Sequence, residues 1–214
     1  MKKVFHSLFI AIAMLCGACS AWADEQPPQQ NQEKETVEQR QQRRKELFEL
    51  AIAAQDFDKA LTVLDEMIDD KEVGDEEKLM AGYAKFVILV REKKDGAKAC
   101  AVAKKLAEVK KDDAEVLNEL AWTILDTPDL KNRDLDVALE IAKQAAEVSK
   151  YENGAILDTL ARAYYEKGDL DKAIEYQTKA VEKSQNDEEL PDDIKEQVKA
   201  TLEKYQAEKA KQKS

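Results

Sequence analysis

DLDKAIEYQTKAV, residues 169–181, decides the fold, because three other stretches repeat its plan: DFDKALTVLDEMI (56–68), DGAKACAVAKKLA (95–107) and DLDVALEIAKQAA (134–146). Each opens with Asp and carries Ala four residues on, at Asp56/Ala60, Asp95/Ala99, Asp134/Ala138 and Asp169/Ala173. The alanines are spaced by 39, 39 and 35 residues, a period typical of repeat architectures. An Asp side chain accepts hydrogen bonds from the free N–H groups of a first helical turn, so each Asp marks a helix start. The Ala lets a neighbouring helix backbone approach closely. The position after it is apolar every time, as Leu61, Cys100, Leu139 and Ile174, and Leu64, Met67 and Ile68 continue the stripe that such a helix buries.

A partner helix precedes each copy. Leu157, Leu160, Ala161 and Tyr164 sit at helical spacing, matched by Tyr83, Phe86, Val87 and Val90, by Leu117, Leu120, Ala121 and Ile124, and more weakly by Arg44, Leu47, Phe48 and Ala51. Short turns such as Lys167-Gly168-Asp169 join the pairs, and no window alternates with the period of a strand. The expected fold is all-α: an α-solenoid of about four helix pairs over residues 37–206. A C-terminal capping helix starts near Pro191-Asp192-Asp193 and buries Ile194, Val198, Leu202 and Tyr205.

The stretch LDTLARAYYEKGDLDKAIEYQTKAVE (157–182) resembles a tetratricopeptide repeat (TPR), with Leu160, Ala161, Tyr164, Gly168-Asp169, Ala173 and Ala180 in the family's slots. Residues 117–149 resemble a variant with a lengthened turn, a kind of segment met in exported bacterial proteins, sometimes behind a thioredoxin-like domain. Two departures stand out: Gln177 replaces the usual second-helix aromatic, and the turn from Asp126 to Arg133 is about five residues longer than the plain motif. In a TPR-like stack the first helix of each pair lines a concave face. By that register Lys85, Ile88, Arg91, Asn118, Trp122, Asp158, Arg162 and Tyr165 line a peptide-binding groove, with Lys45, Glu49 and Leu125 also facing it. Trp and Tyr beside Arg and Asn is the mix of binding hot spots, although Trp122 would equally serve as packing against the long turn. Asn118 fits one slot of the carboxylate clamp that some such grooves carry, but Asp158, Ala84 and Glu49 spoil the rest, so a C-terminal carboxylate is not expected as ligand.

Composition narrows the function. The chain has 214 residues, 34 Lys and Arg against 45 Asp and Glu, and a net charge of −11, which argues against nucleic acid and against an anionic membrane surface as partner. The one histidine, His6, leaves no His-based metal site, and no G-x-S-x-G, phosphate-cradling loop or H-E-x-x-H occurs. Carboxylate pairs such as Asp112-Asp113 read as helix-start charge, and Asp126, Asp129 and Asp134 lack the pattern of an EF-hand. No catalytic, cofactor-binding or metal residue is assigned, and no enzyme activity is expected.

The N-terminus reads as an address. Lys2 and Lys3, the apolar run Leu8 to Cys16 and Ala21-Trp22-Ala23 follow the plan of a signal peptide over residues 1–23. Residues 24–36 read as a disordered Gln/Pro-rich linker, and 207–214 as a frayed basic tail. Cys16-Gly17-Ala18-Cys19 closes the apolar run, which speaks against a redox C-x-x-C and leaves a resemblance to a lipoprotein box with Cys19 as the acylated residue. Cys100 occupies the slot of Leu61 and Leu139 and reads as a buried small hydrophobe. The sequence therefore predicts an exported scaffold, periplasmic or in the cell envelope, that binds a protein or peptide and touches membrane only if Cys19 is lipidated. The alternatives are a lipid-anchored envelope-assembly protein and an accessory to a thioredoxin-like redox system.

Overall fold

The computed structural model describes residues 35–212. The expected signal peptide and nearly all of the linker lie outside the described residues. Among those described, nine helices form and no strand: α1 (Val37–Ala53), α2 (Phe57–Asp69), α3 (Asp75–Arg91), α4 (Gly96–Val109), α5 (Ala114–Asp126), α6 (Leu135–Val148), α7 (Gly154–Glu166), α8 (Leu170–Gln185) and α9 (Asp192–Gln212). The first eight make the four expected pairs, each packing on the next, and α9 closes the stack against α8.

The repeated Asp and Ala do what their chemistry requires. Asp56, Asp95 and Asp169 each accept the backbone N–H three residues on at 3.1 Å, and Asp134 accepts Val137 N–H at 3.3 Å. These bonds satisfy donors that a helix start leaves free. Ala60, Ala99, Ala138 and Ala173 are all fully buried. Leu120 and Leu160 share the main core with Cys100, Ile124 and Ile141; it runs from α3 to α8 and takes in Tyr205 of α9. A smaller core of Ala51, Ala60, Leu64, Ala81 and Ile88 holds the first pair to α3.

In α3 the register differs by one residue from that expected. Asp56 N–H bonds to Ala51 O at 2.8 Å and Asp169 N–H to Tyr164 O at 2.9 Å, but Asp95 N–H reaches Leu89 O, not Val90 O, at 3.0 Å. The turn before Asp95 is one residue longer than the other two. Each turn passes through a left-handed residue just before its Asp: Gln55, Lys94 and Gly168, with φ of 56°, 50° and 79°. The residues of α3 equivalent to Leu157, Ala161 and Tyr164 are therefore Gly82, Phe86 and Leu89. Val87, expected in the core, is exposed, and Ile88, expected in the groove, is 6% exposed and packs in the smaller core.

The long turn between α5 and α6 folds back over the start of α4. Gly96 N–H donates to Lys131 O at 2.8 Å, Lys131 N–H to Lys94 O at 3.3 Å, and Leu130 is buried beneath. The turn thus ties the second pair to the third. At the other end, Gln177 replaces an aromatic for a reason: its buried amide donates to Asp158 Oδ1 at 2.6 Å and to Val198 O of α9 at 3.0 Å. The C-terminal helix continues past the expected boundary. Residues 207–212 are helix, not frayed tail, and Lys209 pairs with Asp171 of α8. Of its expected stripe, Val198 and Tyr205 are buried, whereas Ile194 is exposed.

Candidate protein-interaction face

The first helices of the pairs present equivalent residues in a row. Once α3 is re-registered, Val87, Trp122 and Arg162 hold one position, and Tyr83, Asn118 and Asp158 hold another one helical turn earlier. Val87 is 42% and Trp122 38% exposed, large apolar surface for residues on helices that otherwise bury their Leu and Ile. Tyr83 and Asn118 are half-buried, and Tyr83 Oη and Asn118 Oδ1 are buried without a hydrogen-bond partner among the described residues. Burial, with the Asp113 and Glu119 carboxylates behind it, pushes the Tyr83 hydroxyl above its ordinary pKa.

The eight expected groove residues divide. Trp122, Asn118, Arg162 and Arg91 remain on or beside this row. Ile88 is in the core. Lys85 points to Asp65 of α2 and pairs with it. Asp158 and Tyr165 are taken by α9. The Tyr165 ring stacks on Tyr205 at 4.4 Å between centroids, its hydroxyl donates to Glu208 at 3.0 Å, and Lys204 lies 4.7 Å above it. Asp158 is enclosed by α7, α8 and α9, and burial raises its carboxyl pKa against the opposing pull of Gln177 and Arg162. Leu125 is buried as well. Arg162 is held by Glu166 at 2.9 Å, and Glu166 by Arg133 at 2.9 Å, while Arg133 also donates to Leu125 O at 2.7 Å. That chain of charges fastens the long turn to α7.

Two clefts were not expected from the sequence. One, of 480 Å³, opens between α1 and α3 over α2, floored by Phe48, Leu64, Met67, Ala81 and Ala84. The other, of 510 Å³, lies between α3 and the start of α5, against Leu79, Tyr83, Val109 and Val116. Met80 belongs to both and is 66% exposed, and Val109 is 67% exposed. Excess apolar residues at Met80 and Val109, outside the repeat's core slots, were the only sequence signal for them.

Chemistry elsewhere is sparse. Among the described residues no group of three His, Cys, Asp or Glu is placed to hold a metal ion. Asp134, one of three acids around the long turn, spends Oδ1 on the N–H groups of Asp136 and Val137. Cys100 is buried, accepts Asp134 N–H at 3.3 Å, and has its thiol pKa pushed up by burial, the reverse of an activated thiolate. No described helix is long and apolar enough to cross a membrane.

A family model, the tetratricopeptide repeat, matches residues 154–187, which span α7, α8 and the turn between them. No curated protein matches the chain. The all-α stack of helix pairs is TPR-like throughout, and a tetratricopeptide repeat points to a protein–protein interaction module, a role in which this fold typically acts as a scaffold and not as a catalyst.

Proposed function

We propose that the protein is an exported interaction module that binds a protein or peptide on its concave face, at the row formed by Val87, Trp122 and Arg162. The observation that supports this most is Trp122: an exposed aromatic at the position that exposed Val87 holds on α3, with unpartnered polar atoms at Asn118 and at its α3 equivalent Tyr83 one turn earlier. An aromatic there offers large contact area at small entropy cost, and the polar atoms gain partners from a bound main chain. The buried, unactivated Cys100 disfavours the redox-accessory alternative. Export rests on the signal-like residues 1–23, with acylation of Cys19 as the lipid-anchored variant of the same address. N-terminal sequencing of the exported protein separates them: a start at Asp24 supports cleavage after Ala23, and a lipidated start at Cys19 replaces it. For the face itself, Trp122→Ala is expected to weaken partner binding by about 2 kcal/mol or more, the hot-spot threshold. Unfolding of the variant with unchanged affinity per folded molecule would make Trp122 a packing residue.

A further inference from the structure

We propose that the two clefts flanking Met80 receive a cationic amphipathic segment of the partner protein. The proposal rests on the interaction-module reading above and adds the chemistry of what is bound. Three observations converge on it.

The first is apolar surface in the wrong place. Met80 and Val109 each leave two thirds of their area exposed, and the clefts beside them are floored by Phe48, Met67, Leu79 and Val116. Contiguous exposed apolar surface inside a polar rim is the signature of a docking site. Cavities of 480 and 510 Å³ on either side of one ridge accept large aliphatic side chains that straddle it. The second is the charge of the rim. Glu38 and Glu77 border the first cleft, and Asp75, Glu76 and Glu119 the second, against Lys45 and Lys110. Arg44 does not offset them, because its Nη1 is committed to Asp70 at 2.7 Å. None of those five carboxylates has an ion-pair partner among the described residues, unlike Asp70 and Glu166, which do. An acidic frame on a chain of net charge −11 steers and orients a basic segment and repels an acidic one. The third is an unmet hydrogen bond. Tyr83, in the wall of the second cleft, leaves its hydroxyl without a partner among the described residues, whereas Arg44 in the wall of the first is already paired with Asp70 and Glu66. A main-chain carbonyl of an inserted segment supplies what the Tyr83 hydroxyl lacks.

The test uses a fluorescein-labelled synthetic peptide with Leu at i, i+3, i+4 and i+7 and Lys elsewhere, titrated with the full chain at low salt and read by fluorescence anisotropy. A Leu/Glu peptide and a Ser/Lys peptide serve as comparators. The Leu/Lys peptide binds, and both comparators bind at least about tenfold more weakly. Met80→Ser and Glu77→Lys, both at exposed positions, each weaken it about fivefold or more, and Glu147→Lys on the distant surface of α6 leaves it unchanged. Circular dichroism confirms that the variants fold. Equal binding of the Leu/Glu or Ser/Lys peptide overturns the proposal. So does equal loss with Glu147→Lys, which reduces the effect to net charge. A dimer in sedimentation that Met80→Ser disperses assigns the clefts to a second copy instead. Unchanged affinity in Met80→Ser and Glu77→Lys removes the cleft assignment and leaves the Trp122 test of the interaction face standing by itself.

Discussion

Gly96→Ala is expected to destabilise the protein, against the usual sign of such a change. In an exposed helix the substitution gains about 0.5–1 kcal/mol, because Gly has more backbone entropy to lose. Here the added methyl would lie 2.7 Å from Arg133 N and 2.8 Å from Arg133 Cα, and closer still to Lys131 O. Those are backbone atoms, which cannot rotate aside. The long turn must lift from α4, and two hydrogen bonds go with it: Gly96 N–H to Lys131 O and Lys131 N–H to Lys94 O. At about 1 kcal/mol each, plus a share of the about 2 kcal/mol from burying Leu130 and minus the entropic gain, the net loss is about 2–3 kcal/mol. Urea unfolding followed by far-UV circular dichroism measures it. Gly82→Ala is the comparator, because its methyl meets only Leu106 Cδ2, at 3.0 Å, the end of a flexible side chain. It is expected to stay within about 1 kcal/mol of wild type. A Gly96→Ala protein as stable as wild type, or more so, would refute the docking of the long turn on α4.

Further outcomes follow from the same packing. Leu160→Ala, in the middle of the main core, should cost about 2–5 kcal/mol in the same assay, and a change within about 0.5 kcal/mol would contradict the register of α7. Asp158 carries a pH signature: burial raises its folded pKa above the ordinary 3.8, so the stability it contributes is full below that value and is lost as pH rises through the raised pKa. Asp158→Asn keeps an acceptor for Gln177 without the charge, so its stability relative to wild type should increase from acid to neutral pH; a pH-independent difference would contradict the burial. Asp70 behaves oppositely. The Glu72 N–H and Arg44 lower its pKa to about 2, so its contribution is present above 3.8 and disappears as pH falls toward 2, and Asp70→Asn should flatten that acid limb.

The repeat was legible because one residue type at one spacing does one job. Asp caps, Ala admits a neighbour, and four copies of each leave little choice of fold. The slip in α3 has a local cause. Gly168 announces the left-handed turn residue, but Gln55 and Lys94 adopt the same conformation without a glycine to mark it, so the extra residue before Asp95 was invisible. That slip alone moved Val87 out of the expected core and Ile88 into it. Two of the three groove residues of α7, Asp158 and Tyr165, are taken for a different reason. Gln177 of α8 and Tyr205, Glu208 and Lys204 of α9 engage them, and a helix-by-helix register says nothing about what a later helix covers. Gln177, which departs from the family's pattern, is the contact that fastens α9 at Val198. The clefts beside Met80 are gaps between helices distant in sequence, a property of packing that periodicity does not encode.

The central claim is that the row of Val87 and Trp122 meets a protein partner. A photoreactive phenylalanine analogue placed at position 87 or 122, and separately at Glu140 or Glu147 on the exposed side of α6, tests it in intact cells producing the full chain. Illumination should trap the same partner adduct from 87 and 122 and none from 140 or 147. Adducts only from the α6 positions, or equally from all four, would contradict the assignment of the concave face.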